Sequence, residues 1–474
     1  MNKLMVFYKI VQSKPSIIWV NNRFIEDRLS TDSFTEAYLK WKEHCSLSSN
    51  FKMIKIKDIS VSINIGFTSK RNYQNDGIKF LNISNIEPFN FNLENVKYIS
   101  KETHEDLKKS QLKSGDVLLT ITGTVGDSVV VPSNFGEANI SANIVALRLK
   151  KSFDSYYLST FFNSTYGKLQ TKGSSKSNVW SNLGVQQVRE IEIPIPSPEI
   201  QKYIGDKVRK AEELRKEAKR LKKEAEEIIN ESLNIKQLDF LWEGSKVKFE
   251  WTSTEILTDR IDANYYEQKY VETINHIKKF SKKYITLNSI IDSIYTGKKP
   301  IYYEKGIEAY FVQSGNISSN FLELDNKEKV DLSKYNQILF GDLLIAKDGE
   351  TIGKIAINLT NETIIINEHT YCVRLKDEYK CYSAYIYYFL TNKYINPLIR
   401  REATGSAQKG LNFTFTENII IPILEEDRIM NLYNLEVRRC NNIYKSKQLI
   451  QEAKQDVEDL IEGNFDMSKV KTKS

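Results

Sequence analysis

The chain has 474 residues, 41% hydrophobic and 27% charged, enough for more than one buried core. With 20 glycines and 9 prolines it is neither collagen-like nor broadly disordered. Its 68 Lys and Arg against 61 Asp and Glu leave a net charge of +7, a mild excess compatible with a polyanionic partner. Cys45, Cys372, Cys381 and Cys440 are far apart and form no CxxC pair, so neither a disulfide framework nor a structural zinc site is expected. The opening MNKLMVFYKIVQSKPS lacks the apolar core of a signal peptide, and no run approaches ~18 apolar residues, so a cytoplasmic protein free of the membrane is expected. The sequons at Asn82, Asn139 and Asn316 then read as polar turns.

In chain order, residues 1–50 form an N-terminal segment that recurs at 236–283: Ser13, Lys14, Trp19, Asp27 and Arg28 fall on Ser245, Lys246, Trp251, Asp259 and Arg260. Trp19 and Trp251 are assigned to core packing. Residues 51–198 read as short β runs punctuated by Gly and Asn (FKMIKIKDI, GIKFLNI, DVLLTIT, DSVVVP, IVALRLK, EIEIPIP). They include one amphipathic helix over 154–169. Residues 284–424 repeat this order, with the helix at 383–399. GIKFLNISNI matches GIEAYFVQSGNI, LKSGDVLLTITGTVG matches ILFGDLLIAKDGETIG, and VALRLK matches CVRLK. Gly115 and Gly341, each before an Asp, are assigned to tight turns.

Each copy closes in a charged helix, at 199–235 and 425–462, followed by a flexible tail at 463–474. In the first helix Ile204, Ala211, Ala218 and Ala225 form one seven-residue series, and Leu214, Leu221 and Ile228 a second. The second helix carries Ile443, Ile450 and Val457, then Ala453 and Leu460. The pattern predicts two long helices packed antiparallel within the chain. A length that suggests about three domains thus becomes two copies of one α/β unit, separated by a long antiparallel helical (coiled-coil) spacer. Duplication fits doubled stability, or two similar sites related by a pseudo-two-fold, for which duplex DNA is a natural target.

Catalytic motifs are missing from both copies. Gly349–Ile355 has the wrong spacing for a phosphate loop, and Asn396-Pro397-Leu398-Ile399 is not an adenine-methyltransferase motif. His44, His104, His276 and His369 are scattered and read as packing or surface residues.

The order Gly115-Asp116 with LLTITGTVG, then NISANIVALRLK, GSSKSNVWSNL, IEIPIPSPEIQKYI and a heptad helix recurs at Gly341-Asp342, INEHTYCVRLK, GSAQKGLNFTF and IIIPILEEDRIM. This resembles the specificity (S) subunit of type I restriction–modification systems over about residues 20–462. The junction there often reads P-L-x-E-Q; here it is Pro196-Ser-Pro-Glu199-Ile200-Gln201 and Leu424-Glu425-Glu426-Asp427-Arg428, and the second copy lacks the Gln. The long segments 1–50 and 236–283 also occur in type IIB-like relatives.

The resemblance implies a non-catalytic subunit that reads a split sequence in double-stranded DNA, one half per recognition domain. Two methyltransferase (M) subunits would dock on the helices and on the Asp27-Arg28 and Asp259-Arg260 segments to modify adenines, and restriction/translocase (R) subunits would join for cleavage. S-adenosylmethionine, ATP and Mg would be bound only in those partners. A helix over 199–234 would span ~54 Å, against about 34–36 Å per turn of duplex, so a fixed spacer of one to one and a half turns is expected.

Base reading needs Arg, Lys, Asn or Gln on loops, and phosphate contact needs cations, hydroxyls or backbone N–H groups. The first copy offers Lys70, Arg71, Asn72 and Tyr73, then Lys172, Ser174, Ser175, Lys176, Asn178 and Trp180. The second offers Lys298, Lys299, Tyr302 and Tyr303, then Lys347, then Arg400, Arg401, Ser406, Gln408 and Lys409. Each of these also fits an ordinary solvated loop. Two other readings stay open: a self-contained nuclease or methyltransferase with an unrecognised site, and a coiled-coil scaffold with two protein-binding heads.

Overall fold

The computed structural model describes residues 52–67, 72–173, 183–239, 242, 260, 262–281, 283–301, 305–325, 327–405 and 409–471, with two N-terminal strands. Those strands, β1 (Lys3–Tyr8) and β2 (Ser16–Asn21), pair antiparallel. The chain is mixed helix and strand. It divides into two compact units: unit 1 is Met1–Arg215 with Ile443–Ser474, and unit 2 is Lys216–Asn442.

Unit 1 contains β3 (Lys52–Lys55), β4 (Ser60–Ile65), β5 (Ile78–Leu81), β6 (Ile86–Glu87), β7 (Asn90–Phe91), β8 (Lys97–Ile99), β9 (Val117–Thr120), β10 (Ser128–Val130), β11 (Ala138–Ile140), β12 (Ile144–Leu149) and β13 (Glu192–Ile195). They form a four-stranded antiparallel sheet in the order β10-β9-β12-β4, a three-stranded sheet β11-β5-β8, and the pairs β13-β3 and β6-β7. The run Val117-Leu118-Leu119 is apolar throughout because both faces of its sheet are covered. Val117, Leu119, Val145 and Leu147 join one core with Phe161 and Phe162. Leu118, Val129, Ile144 and Ala146 join another with Leu81 and Ile140 of the second sheet. Period-two alternation therefore separates two cores instead of core from water.

The helix expected over 154–169 is two helices, α1 (Ser155–Asn163) and α2 (Thr165–Gly173). Ser164 between them is extended (φ −75°, ψ 166°). Gly167 explains the tight break, since a Cβ there would lie 1.9 Å from the Phe161 carbonyl oxygen. The long helix α3 follows at Pro198–Ser232.

Unit 2 repeats the plan. Its strands are β14 (Tyr284–Thr286), β15 (Ile291–Thr296), β16 (Ile307–Val312), β17 (Lys327–Val330), β18 (Leu343–Ala346), β19 (Ile355–Ile357), β20 (Ile364–Ile366), β21 (Thr370–Leu375) and β22 (Ile420–Pro422). The sheets are β15-β21-β18-β19, β17-β16-β20 and β14-β22, the same orders and directions as in unit 1. The segment expected as a helix over 383–399 is α4 (Ser383–Thr391) and α5 (Asn396–Arg401), and the chain then reaches α6 (Glu426–Glu462).

The matched motifs have one structural meaning. Gly115 and Gly341 turn at φ +84° and +89°, the left-handed region that favours glycine. The next residue, Asp116 or Asp342, accepts the backbone N–H of Lys113 at 2.8 Å or of Leu339 at 2.7 Å. Each carboxylate also takes a two-pronged hydrogen bond from an arginine: Arg148 to Asp116 at 2.8 and 2.7 Å, Arg374 to Asp342 at 3.0 and 2.7 Å. Tyr157 donates to the Pro194 carbonyl at 2.7 Å and Tyr385 to that of Pro422 at 2.5 Å.

Both long helices are divided between the units. In unit 1, Ile200, Ile204 and Val208 of α3 meet Ala453, Val457 and Leu460 of α6 in the core that holds Phe161. Lys207 caps this contact on buried Asp456 at 2.5 Å. In unit 2, Arg428 donates to Ser232 at 2.7 Å, and Arg438 lies 3.6 Å from Glu217, an antiparallel register. Of the expected seam, Ile204, Ala211, Ala218, Leu221, Ala225, Ala453, Val457 and Leu460 are buried, whereas Leu214, Ile228, Ile443 and Ile450 are half-buried. Val208 and Ile229 are buried instead, because each helix half also packs on its own recognition domain and needs a wider apolar stripe than a two-helix seam.

The tail expected to be flexible is packed as far as it is described. Phe465 and Val470 lie against the unit 1 core, and Lys469 donates to Asp456 at 2.9 Å. Gln201 is buried, accepting from the Asp154 N–H at 3.1 Å and donating to the Pro196 carbonyl at 3.0 Å. The helix start of the second copy, which lacks this Gln, buries Ile429 instead.

Candidate nucleic-acid interface

In unit 2 several described residues of the expected loops lie at one end of the four-stranded sheet. In unit 2 that end is marked by Thr296 opposite Tyr371 and by Ala346 opposite Thr370. Lys298 and Lys299 follow β15 after Gly297, and both are exposed. Lys347 follows β18; its N–H bonds the His369 carbonyl at 2.9 Å, and its carbonyl accepts from Leu411 at 2.8 Å. Its ammonium lies 5.8 Å from the centre of the Tyr371 ring. Thr404 and Gly410 exchange both backbone bonds at 2.9 Å, closing a hairpin that carries the exposed Lys409. A pocket of about 560 Å³ opens here, lined by Thr296, Lys347, Tyr371, Thr404, Leu411 and Phe413 among others.

In unit 1 the same end is built by Gly66 and Phe67 after β4, and by the Ile121–Gly126 turn after β9. Gly66 accommodates a close backbone crossing, since a Cβ would lie 2.1 Å from the Ile140 carbonyl oxygen. Leu183 N–H bonds the Ile121 carbonyl at 2.8 Å, which brings Leu183 to this end. Asn72 and Tyr73 are exposed, with the Lys97 ammonium 4.5 Å from the Tyr73 ring centre. Lys172 is exposed near the end of α2. Lys70, Arg71, Ser174, Ser175, Lys176, Asn178, Trp180, Tyr302, Tyr303, Ser406 and Gln408 lie outside the described residues, as do the side chains of Trp19 and Trp251 and the Asp27-Arg28 and Asp259 positions.

Arg400 and Arg401 part company. Arg400 is exposed, its stem against Gly353, where a Cβ would come within 2.8 Å of its Cγ. Arg401, expected as a surface contact, has only 8% of its side chain exposed. It donates to the Tyr265 carbonyl at 3.2 Å and stacks 4.4 Å from that ring. The next residue, buried Glu402, accepts from Tyr265 at 2.9 Å and from Asn418 at 3.0 Å. Arg401 therefore fastens the Ala263–Tyr266 turn to its own domain. A polar side chain on a short helix gives no sequence signal of this burial.

Three groups at the loop end escaped sequence reasoning. Phe67 and Phe413 are each 57% exposed. His369 Nδ1 lies 3.0 Å from Asp348 Oδ2. Aligning the two copies brings Asp348 to the loop, but its pairing with His369 is tertiary. The other described histidines serve packing: His104 Nδ1 meets Asn139 at 2.5 Å, and His276 Nε2 meets the Leu233 carbonyl at 2.8 Å. Among the described residues no three His, Cys, Asp or Glu side chains gather as a metal site, and no helix is long and apolar enough to cross a membrane.

Where recognition domain meets helix in unit 1, Tyr156 donates to Glu212 at 2.9 Å. Burial pushes the Glu212 carboxyl up to about 7, against the opposing pull of the Tyr156 hydroxyl, Arg215 and Arg209. Arg215 donates to the Phe89 carbonyl at 2.9 Å. In unit 2 the joint is buried Glu436, which accepts from Tyr388 at 2.5 Å and from Arg439 at 2.6 and 2.5 Å.

Residues 48–227 match the model of the type I restriction modification DNA specificity domain. The chain is 26% identical over 140 residues to the specificity subunit of the type I restriction enzyme EcoBI of Escherichia coli, 29% of each chain, so the match spans less than a third of that relative. Two solved structures align along most of the chain. The S subunit of a type I restriction-modification system from M. genitalium gives a TM-score of 0.44 at 14% identity, covering 90% of this chain and 96% of that one. The HsdS subunit from Thermoanaerobacter tengcongensis gives 0.30 at 15%, covering 88% and 98%.

Proposed function

We propose that the chain is the non-catalytic DNA specificity subunit of a type I-like restriction–modification complex. Each unit reads one half of a split DNA sequence through the loop end of its four-stranded sheet. The observation that carries this reading is the duplication: unit 2 repeats the sheet orders, the Gly-Asp turn and the Asp–Arg pair of the domain matched at 48–227. Two copies of a DNA specificity domain imply two half-sites, and helices shared between the units are suited to fix the spacer. The recognition domains are taken as 51–198 and 284–424, the helices as 199–235 and 425–462. The helices, with the Arg260 segment, offer the docking surface for two methyltransferase subunits, and restriction subunits join through these. S-adenosylmethionine, ATP and Mg belong to those partners.

Selection of duplexes by the purified chain, from a library randomised over about two helical turns, tests this. The expected product is two short fixed blocks separated by unselected positions. Capture independent of sequence and of salt would contradict it, because phosphate-mediated binding weakens steeply with salt. Cleavage or methylation by the chain alone would favour a self-contained enzyme.

A further inference from the structure

The two units share their scaffold bonds but differ in charge at the loop end. In unit 1 the Ile121 N–H bonds the Asn143 carbonyl at 2.9 Å, and the Ile121 carbonyl accepts from Leu183 at 2.8 Å. In unit 2 the Lys347 N–H bonds the His369 carbonyl at 2.9 Å, and the Lys347 carbonyl accepts from Leu411 at 2.8 Å. These matched bonds equate Ile121 with Lys347, Asn143 with His369 and, one residue on, Thr122 with Asp348. A hydroxyl and an amide in unit 1 thus become a carboxylate and an imidazole in unit 2.

The carboxylate is held firmly. His369 Nδ1 lies 3.0 Å from its Oδ2, and the Asp348 backbone pairs with Gly410 of the closed hairpin. Three chain segments therefore converge on Asp348, yet 18% of its side chain and 46% of that of His369 remain exposed. A cation in such a loop is ambiguous, because phosphates and base edges both attract it. A carboxylate is not. Phosphates repel it, and the major-groove groups that favour it are the exocyclic amino groups of cytosine and adenine. Rigid support is what a reading group requires.

We infer that Asp348, positioned by His369, is a specificity-determining residue of unit 2. It accepts a hydrogen bond from the amino group of a cytosine or adenine in one half of the target, while the matched position in unit 1 is the neutral Thr122. This rests on the proposed function. The test is duplex selection with both half-sites randomised, run on the full chain, on Asp348→Ala and on Asp348→Asn. Wild type should select cytosine or adenine at one position of one half-site. Asp348→Ala should lose tenfold or more of that discrimination, Asp348→Asn should select adenine there, and the other half-site should stay unchanged as a control for folding. Unchanged base preference in both variants, a uniform loss of affinity across all sequences, or loss of selection in both halves would overturn the inference while leaving two-half reading intact in the wild type. A wild type that selects no split sequence would instead overturn the proposed function itself.

Discussion

Asp116 and Arg148 show what a single residue could and could not reveal. The Gly-Asp dipeptide is legible as a turn, and φ of +84° at Gly115 bears that role. Its arginine partner, 32 residues away, is set by strand pairing and is invisible to local reading. Asp116 is 1% exposed and Arg148 30%, so Asp116→Ala leaves a guanidinium partly able to rehydrate. The expected cost is ~1–3 kcal/mol, read by urea unfolding, and Asp342→Ala should behave alike in unit 2. Glu212 gives a pH signature. Its carboxyl, raised by burial to about 7 from an ordinary 4.5, is favoured by folding in its protonated form. Its contribution is fully present below about pH 4.5 and is lost as the pH rises through 7. Glu212→Gln should therefore melt higher than wild type at pH 8 and match it most closely near pH 4.5. A melting difference that is the same at all pH values would contradict this.

At the scale of elements, the seven-residue series located both long helices because small and large residues alternate along one stripe. The strand order of each unit was legible from the repeat, but sheet membership was not, since short apolar runs look alike whichever sheet they join. The break at Ser164 escaped periodicity because the apolar stripe continues across it, and only the Gly167 approach to Phe161 reveals it. Val208 and Ile229 joined the buried face because recognition domain and partner helix press on the same helix from different sides. Ala211 is fully buried, so Ala211→Leu should overpack its site and cost ~1–3 kcal/mol in denaturant unfolding. No change would mean that this position has room. The loops that carry the proposed site were found by composition, and Arg401 shows the limit of that approach: its charge suggested a surface, while the rings of Tyr265 and Tyr270 and the Tyr265 carbonyl claim it.

For the whole molecule, duplication was the most legible feature, and two units with one topology bear it out at the level of sheets. Each unit incorporates half of α3 and half of α6, and in unit 1 those helix faces close the recognition-domain core. On the proposed reading the 35 residues of α3 and 37 of α6 set the distance between half-sites. Removing one heptad from both keeps the seam in phase and should shorten the unselected spacer by a few base pairs. The most direct measurement of the central claim is a map of methylated adenines in cells expressing this chain with a cognate methyltransferase. Methylation is expected within one split motif, two short blocks at a fixed separation, and disappears when this chain is omitted. Methylation at a continuous motif, or a pattern indifferent to this chain, would contradict it.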